Sequence, residues 1–216
     1  MKEPPAASDN TNSKQGEAVN ALTIYGAPQS RAFRTLWMAK ELGLDFKNEP
    51  LSPRSGETRK PEFLAINPNG HVPAIDDGGV RLCESMAINL YLARKHDKGL
   101  WPKNVADEGR AFMWSLWAIT EAEAALLPVL INRFVRPGSD AEGEAKALPK
   151  IDAMLKILDQ ALAGKDYLLG GSFSVADLNV ASVLSWAKLL KIDLKEVPKV
   201  DAWLGRCLGR PAAKVS

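Results

Sequence analysis

Short apolar runs separated by turn residues mark the first hundred positions of the chain. The run Leu22–Tyr25, with the sequence LTIY, predicts a strand. Residues 31–42 place apolar side chains at helical spacing, and Gly43 suits the C-terminal cap of that helix. A second strand is predicted over 44–51 and a short helical piece over 61–66. The pattern therefore begins with a βαβ unit.

Two further strands and a helix follow in close succession. Residues 76–79, with the sequence DDGG, separate the short runs VPAI and VRLC, which predicts an antiparallel hairpin. After this hairpin, apolar residues recur at helical spacing, so a helix is predicted to begin at the pair Glu84-Ser85. A βαβ unit joined to a ββα unit is the thioredoxin-like plan.

From about residue 98 onward the chain carries only helical patterns. Helices are predicted over 106–134, where Pro128 is a candidate kink, and over 146–162, after a loop. The motif SVAD at 174–177 is a capping box that starts another helix, which gives its acidic residue a structural role. The second half of the chain is therefore predicted to be helical.

These patterns predict a fold of α/β plus all-α type. A thioredoxin-like domain occupies residues 21–97, and an all-helical domain occupies residues 98–216. The first 20 residues are polar and contain no apolar run, so they cannot bury enough surface to offset the entropy of ordering. We expect residues 1–20 to form a disordered tail.

Charge and cysteine content narrow the possible partners. The chain has 28 Lys and Arg against 26 Asp and Glu, a net charge of +2, so nothing favours nucleic acid or an anionic membrane as its partner. No apolar segment is expected to reach the length that spans a bilayer. Cys83 and Cys207 lie far apart in the sequence, which argues against a metal site, a disulfide framework or a Cys-x-x-Cys redox pair. The chain is predicted to be cytoplasmic.

Backbone groups suited to a small ligand converge between residues 67 and 92. Val72 precedes Pro73, which keeps Val72 extended and leaves its backbone able to pair with a peptide-like ligand. The first turn of the helix at Glu84-Ser85 offers unpaired N–H groups that would stabilise a carboxylate. The sequence therefore predicts a binding site for a small peptide-like anion.

At this point the chain resembles the cytosolic glutathione transferase family, from about residue 21 to the C-terminus. The resemblance rests on four segments in the family's order: YGAPQSRAFRTLWMAKELGL at 25–44, NPNGHVPAI at 67–75, ESMAINLYL at 84–92 and FSVADL at 173–178. It implies glutathione as co-substrate and a homodimer.

The resemblance also implies a role for each binding residue. The peptide bond before Pro73 would be cis, and Val72 would hydrogen-bond the cysteinyl backbone of glutathione. Glu84 and Ser85 match the pair that binds the γ-glutamyl end, where the carboxylate faces the ammonium group and the hydroxyl and amide face the α-carboxylate. His71 occupies the position that faces the glycyl end.

The chemistry requires a stabilised thiolate, because an ordinary thiol has a pKa of ~8.5 and is a poor nucleophile until its proton is lost. Ser30 stands between the first strand and the first helix, where its hydroxyl could face a bound sulfur. Ser30 is equally suited to cap that helix. Tyr25, at the end of the first strand, is the other candidate donor, with packing beneath the sheet as its alternative role.

Two tryptophans are candidates for the second-substrate pocket. Trp114 and Trp117 lie on the long predicted helix and could form an apolar wall for an electrophile, although tryptophan at helical spacing is more often in the core. A metal site is not expected, because the two histidines lack nearby cysteine or acidic ligands.

The sequence thus predicts a glutathione transferase that attaches the glutathione thiolate to a small, mostly apolar electrophile. Two alternatives stay open. The first is a glutathione-dependent disulfide reductase or peroxidase with the same fold, and the second is a noncatalytic binding module. Conjugation of an aryl halide, reduction of a mixed disulfide and glutathione binding distinguish the three.

Overall fold

Four short strands form a mixed sheet at the centre of the N-terminal half. The computed structural model describes residues 22–52 and 54–215, so the predicted disordered tail lies outside the described residues. The strands are β1 (Leu22–Tyr25), β2 (Phe46–Glu49), β3 (Ala74–Asp77) and β4 (Val80–Cys83), in the spatial order β2-β1-β3-β4. β1 and β2 are parallel, whereas β3 is antiparallel to both β1 and β4.

Three helices complete this half: α1 (Ala32–Glu41), the single turn α2 (Pro61–Leu64) and α3 (Ser85–His96). A 3₁₀ turn at Glu57–Arg59 precedes α2. Gly43 follows α1 with a φ of +58°, a left-handed conformation typical of a helix C-terminus. The predicted elements are therefore present, with each end within a few residues of its expected position, and the thioredoxin-like plan is confirmed.

The helical half contains α4 (Val105–Trp117), α5 (Ala124–Leu130), α6 (Ala141–Ala161), α7 (Val175–Leu189) and α8 (Pro198–Leu208). π-helical segments at Ala118–Glu123 and Ile131–Val135 make α4 and α5 parts of one helical run, and Pro128 lies within it. This run confirms the helix predicted over 106–134.

The length of this run corrects one sequence expectation. The 31 residues Val105–Val135 are long and apolar enough to cross a membrane by length and composition alone, whereas no segment was expected to reach that length. Part of its apolar surface packs against other helices, because α4 packs on α7 and α5 packs on α6. Ala118, Leu126 and Val129 are fully buried in that core.

The helix predicted over 146–162 begins five residues earlier than expected. Asp140 caps α6, because its carboxylate accepts a hydrogen bond of 2.8 Å from the amide of Gly143. Glu142 and Glu144 then lie in the first turn, where negative charge is favourable. The glycine and the polar residues of this segment favoured a loop in the sequence, and the cap outweighs them.

A chain of buried hydrogen bonds joins the two halves. The Asn89 side chain on α3 donates to Asn179 on α7 at 2.8 Å and to the carbonyl of Arg34 on α1 at 3.3 Å. Asn179 in turn donates to Ser115 on α4 at 2.8 Å. Because buried polar groups are costly without partners, this chain fixes the angle at which the helical domain packs on α1 and α3.

Candidate active site

A cleft of about 340 Å³ lies between the two halves. Its lining combines residues of the thioredoxin-like domain with two residues of the helical run: Arg31, Arg34, Asn67, His71, Val72, Pro73, Glu84, Ser85, Ile119 and Glu123. All five residues that the sequence predicts to bind glutathione are in this set. The fold thus brings these five residues, which span positions 71 to 85 of the sequence, into one cleft.

The Val72–Pro73 peptide bond is cis and lies at the start of β3. Within the described residues, no backbone hydrogen bond involves the amide or carbonyl of Val72. The turn before it is fixed by Asn67, whose side-chain amide donates to the carbonyl of His71 at 2.7 Å. The His71 side chain is exposed at the rim of the cleft. Val72 therefore presents backbone groups to an extended ligand.

The start of α1 lies against Val72. Gly26 has a φ of +132°, and a side-chain carbon at this position would lie 2.5 Å from Cβ of Ala32 and 3.0 Å from Cβ of Val72. Only glycine allows the β1–α1 loop to pass this close. Gly26 therefore lies between the first turn of α1 and Val72.

Glu84 holds an unusual backbone conformation at the other end of the cleft. Its φ of +69° and ψ of +108° place a non-glycine residue in a region that costs about 1–3 kcal/mol. The Glu84 side chain is exposed, while Ser85, the first residue of α3, is 5% exposed. This conformation directs a carboxylate and a helix N-terminus toward one place, which suits a ligand with an ammonium group beside a carboxylate.

Two arginines share one glutamate in the wall of the cleft. Arg31 contacts Oε1 of Glu123 through Nε at 2.6 Å and through Nη2 at 2.5 Å. Nη2 of Arg34 lies 2.7 Å from Oε2 of the same carboxylate, and its Nη1 lies 3.4 Å from the hydroxyl of Ser85. Burial lowers the pKa of Arg34, although its pairing with Glu123 acts in the opposite direction.

Arg34 and Glu123 were not predicted from the sequence as site residues. The one available signal was the presence of two arginines three positions apart at the start of α1, since Arg34 lies in a mostly apolar run. Glu123 is about ninety positions away, and no local pattern connects it to them. Their meeting depends on the packing of the two domains.

The two predicted thiolate donors lie outside the lining of this cleft. The Ser30 hydroxyl donates to the carbonyl of Ala27 at 2.7 Å and accepts from the amide of Ala32 at 3.1 Å, and it lines a small adjoining hollow with Trp186. The Tyr25 ring packs edge-on against Phe63 at 5.9 Å, beside a separate hollow. Ser30 is thus at the start of α1, and the half-buried Tyr25 packs against Phe63.

The structure does not place the two predicted tryptophans in the cleft. Trp114 is 7% exposed and packs edge-on against Trp117 at 5.2 Å between ring centres. Trp117 lines a hollow against α6. Residues four positions apart share a helix face, so Ile119 and Glu123 line the cleft together, whereas Trp117, two positions before Ile119, faces another side of the run.

No group of three or more His, Cys, Asp or Glu side chains in the described residues is arranged to hold a metal ion. The cleft instead offers carboxylate, guanidinium, hydroxyl and backbone groups, the complement of a zwitterionic peptide. A thioredoxin-like domain that holds such a cleft against a helical domain defines a class of glutathione-binding proteins.

Comparisons with known proteins agree with this class. The family model "Glutathione S-transferase, N-terminal domain" matches residues 20–94, and "Glutathione S-transferase, C-terminal domain" matches residues 118–211. Glutathione S-transferase 1 of Zea mays is 32% identical over 203 residues, which cover 89% of this chain and 94% of the relative. Glutathione S-transferase D7 of Drosophila melanogaster is 30% identical over 187 residues, covering 85% and 82%.

Solved structures give the same result. A glutathione S-transferase-I bound with lactoylglutathione has a TM-score of 0.82 at 31% identity, and the match covers 90% of this chain and 97% of that one. A theta class enzyme from Xanthomonas axonopodis pv. citri, with glutathione bound, has a TM-score of 0.81 at 31% identity, covering 90% and 95%. The chain belongs to the cytosolic glutathione S-transferase family.

Proposed function

We propose that this protein is a glutathione transferase that binds glutathione in the cleft between its domains and attaches the thiolate to a small, mostly apolar electrophile. One observation carries the proposal: an unpaired extended backbone at Val72, the Glu84-Ser85 pair and the start of α1 all face the same cleft. These groups complement three features of glutathione, namely the cysteinyl backbone, the γ-glutamyl end and the thiol.

In the proposed complex, Val72 pairs with the cysteinyl backbone as an added strand would. The Glu84 carboxylate faces the ligand ammonium, and Ser85 with the first N–H groups of α3 faces the α-carboxylate. His71, exposed at the rim, faces the glycyl carboxylate. This orientation leaves the thiol directed toward the first turn of α1.

Stabilisation of the thiolate is proposed for the start of α1, with Ser30 as the side-chain donor. Ser30 is favoured over Tyr25 because it precedes the helix that lies against Val72, whereas the Tyr25 ring packs on Phe63. The Ser30 hydroxyl serves a sulfur only by releasing the carbonyl of Ala27. A preorganised donor lowers the barrier most when it faces developing charge.

The second substrate is proposed to enter on the helical side of the cleft. Ile119 supplies apolar surface there, and the half-buried indole of Trp186 lines the hollow beside Ser30. Binding at this place brings the electrophile next to the thiolate, so orientation contributes to the rate.

We also propose a homodimer, located in the cytoplasm and acting in detoxification. An apolar groove of about 660 Å³ runs between α3 and α4 and is lined by Met86, Leu90, Phe112, Leu116 and Ile119 among others. In a single chain, Phe112 is 48% exposed and Leu116 is 66% exposed. A contiguous apolar surface exposed to this extent is typical of an interaction site. A second copy of the chain would cover both.

Cys83 and Cys207 are both free thiols, which agrees with a reducing compartment.

Calorimetric titration with glutathione, combined with two assays in the same buffer, tests the proposed activity. Saturable binding together with conjugation of an aryl halide supports the transferase. Binding with reduction of a mixed disulfide but no conjugation identifies the redox alternative. Absence of binding at millimolar glutathione contradicts the proposal and favours a noncatalytic module.

A further inference from the structure

We propose that Arg31 is a catalytic residue that stabilises the glutathione thiolate, an inference that rests on the proposed function. Arg31 is the N-cap residue of α1, immediately after Ser30. It lines both the glutathione cleft and the adjoining hollow that contains the Ser30 hydroxyl. It is therefore positioned where the two substrates would meet.

The guanidinium of Arg31 is held in place before any ligand binds. Its Nε and Nη2 contact Glu123 at 2.6 and 2.5 Å, and its central carbon lies 5.5 Å from the centre of the Trp186 ring. Both contacts to Glu123 use one side of the guanidinium, which leaves Nη1 on the other side. The side chain is 43% exposed, so this fixed cation is open to the cleft. Preorganised charge of this kind is the efficient form of electrostatic catalysis.

The charge balance of the cluster favours an anionic partner. Arg31 and Arg34 share the single carboxylate of Glu123, which leaves one positive charge uncompensated within the cluster. Arg34 is 2% exposed and lies toward Ser85, where the ligand carboxylate is proposed to bind. The exposed Arg31 is thus the member of the pair available to a second anion.

The position of the sulfur follows from the packing of the loop. Gly26 brings the first turn of α1 against Val72, and Val72 is the proposed partner of the cysteinyl backbone. A cysteinyl side chain held there points toward residues 30–32. The hydroxyl proton of Ser30 is already donated to Ala27, so a cation at the next position supplies stabilisation that the hydroxyl alone does not.

Replacement of Arg31 by Gln removes the charge and is expected to raise the thiol pKa of bound glutathione by roughly one to three units, the effect of losing an opposite charge within ~4–6 Å. The ionisable groups that remain on the cleft are Arg34, Glu123, Glu84 and His71. Each unit lowers conjugation about tenfold below the new pKa, and activity recovers as the pH is raised. The measurement is the thiolate absorbance of bound glutathione against pH, with kcat/KM over the same range.

Two controls keep the inference testable. Arg31→Lys retains the charge, so its thiol pKa should remain closer to that of the wild type. Arg133→Gln removes an arginine that lines neither the cleft nor the hollow beside Ser30. Arg133 has a similar double contact to a glutamate, at 2.7 and 2.6 Å, and its side chain is 35% exposed, so this variant should leave the pH profile unchanged.

S-methylglutathione, which has no ionisable thiol, separates the two proposals. If the wild-type protein does not bind it, the proposed function fails. If Arg31→Gln binds it with wild-type affinity and the thiol pKa rises, Arg31 has the proposed role. An unchanged thiol pKa in the variant, or weaker S-methylglutathione binding with an unchanged pH profile, overturns the inference and leaves Arg31 as a binding or structural residue.

Discussion

At the scale of single residues, the candidate site includes a backbone conformation that residues with side chains rarely adopt. Glu84 is the clearest example, because its φ of +69° is unfavourable for any residue with a side chain. The adjacent Ser85 needs no such strain, since it is the ordinary first residue of α3. Among the residues that line the cleft, only Glu84 combines a side chain with a positive φ, which makes it the residue to test first for ligand binding.

Glu84→Gly is expected to separate stability from binding. Glycine adopts this conformation without strain, so the free energy of unfolding should stay equal or rise by up to about 1 kcal/mol. Glutathione affinity should fall, because the partner of the ligand ammonium is lost. Urea denaturation and calorimetry measure the two quantities. Glu84→Gln, which keeps the side-chain shape, should also weaken binding; wild-type affinity in both variants would remove Glu84 from the site.

Ser30→Ala and Tyr25→Phe distinguish the two candidate thiolate donors. Ser30→Ala is expected to raise the pH at which bound glutathione ionises, because a donor to the sulfur is lost. Tyr25→Phe should leave that pH unchanged, since its ring packs on Phe63. The thiolate absorbance of the bound ligand is the readout. The reverse result would assign the role to Tyr25, and no change in either variant would leave it to Arg31 and the backbone amides.

At the scale of elements, the start of α7 organises the helical domain. Ser174 and Asp177 form the predicted capping box, and the Asp177 carboxylate also accepts from the amide of Leu168 at 2.8 Å and from the indole of Trp203 at 2.9 Å. One buried carboxylate thereby connects α7, the loop before it and α8. Burial raises the pKa of Asp177, although these hydrogen bonds favour its charged form.

Asp177→Ala should lower the free energy of unfolding by about 3 kcal/mol or more, because several buried donors lose their acceptor. The affinity of the folded protein for glutathione should be unchanged. Urea denaturation with calorimetry on the native protein tests both statements. The pKa of Asp177 is higher in the folded state than in the unfolded state, so the folded state binds the proton more tightly. The contribution of Asp177 to stability therefore decreases as the pH rises from the unfolded-state pKa to the folded-state pKa. Asp177→Asn should abolish that pH dependence, and its persistence would assign it to another group.

At the scale of the whole molecule, the two domains meet through polar contacts on one side and leave an apolar groove on the other. Arg34 and Glu123 form a buried pair across the domain boundary, and Asn89 with Asn179 forms another connection. The cleft exists only while this arrangement holds. The groove between α3 and α4 shares Glu84 and Ile119 with the cleft, so a second copy on the groove would lie beside each active site.

Leu116→Glu is expected to convert the proposed dimer into a monomer, because it places a charge among the apolar side chains of the groove. Sedimentation equilibrium over a range of concentrations measures the change. Ile157→Glu, a comparably exposed residue on α6, is the matched control and should stay dimeric. A wild-type protein that is monomeric at all concentrations would contradict the assignment of this face.

The sequence by itself determined the elements and the parts of the site that lie within one segment. Alternating and helical periodicities located the strands and most of the helices, although not α8. Val72, Pro73, Glu84 and Ser85 are marked by local turn and helix-start signals, whereas His71 was assigned through the family resemblance. The capping box at Ser174 was equally local. Such features depend on the backbone preferences of a few neighbouring residues, so the local sequence is enough to predict them.

Only the tertiary structure decided which distant groups meet. Glu123 joins Arg31 and Arg34 because the helical run crosses the start of α1, and the direction of Trp114 and Trp117 depends on how that run is rotated in its packing. Helix α6 likewise begins earlier than predicted, because Asp140 caps it. These outcomes follow from the burial and pairing of side chains across the domain interface, and a one-dimensional pattern carries no information about that geometry.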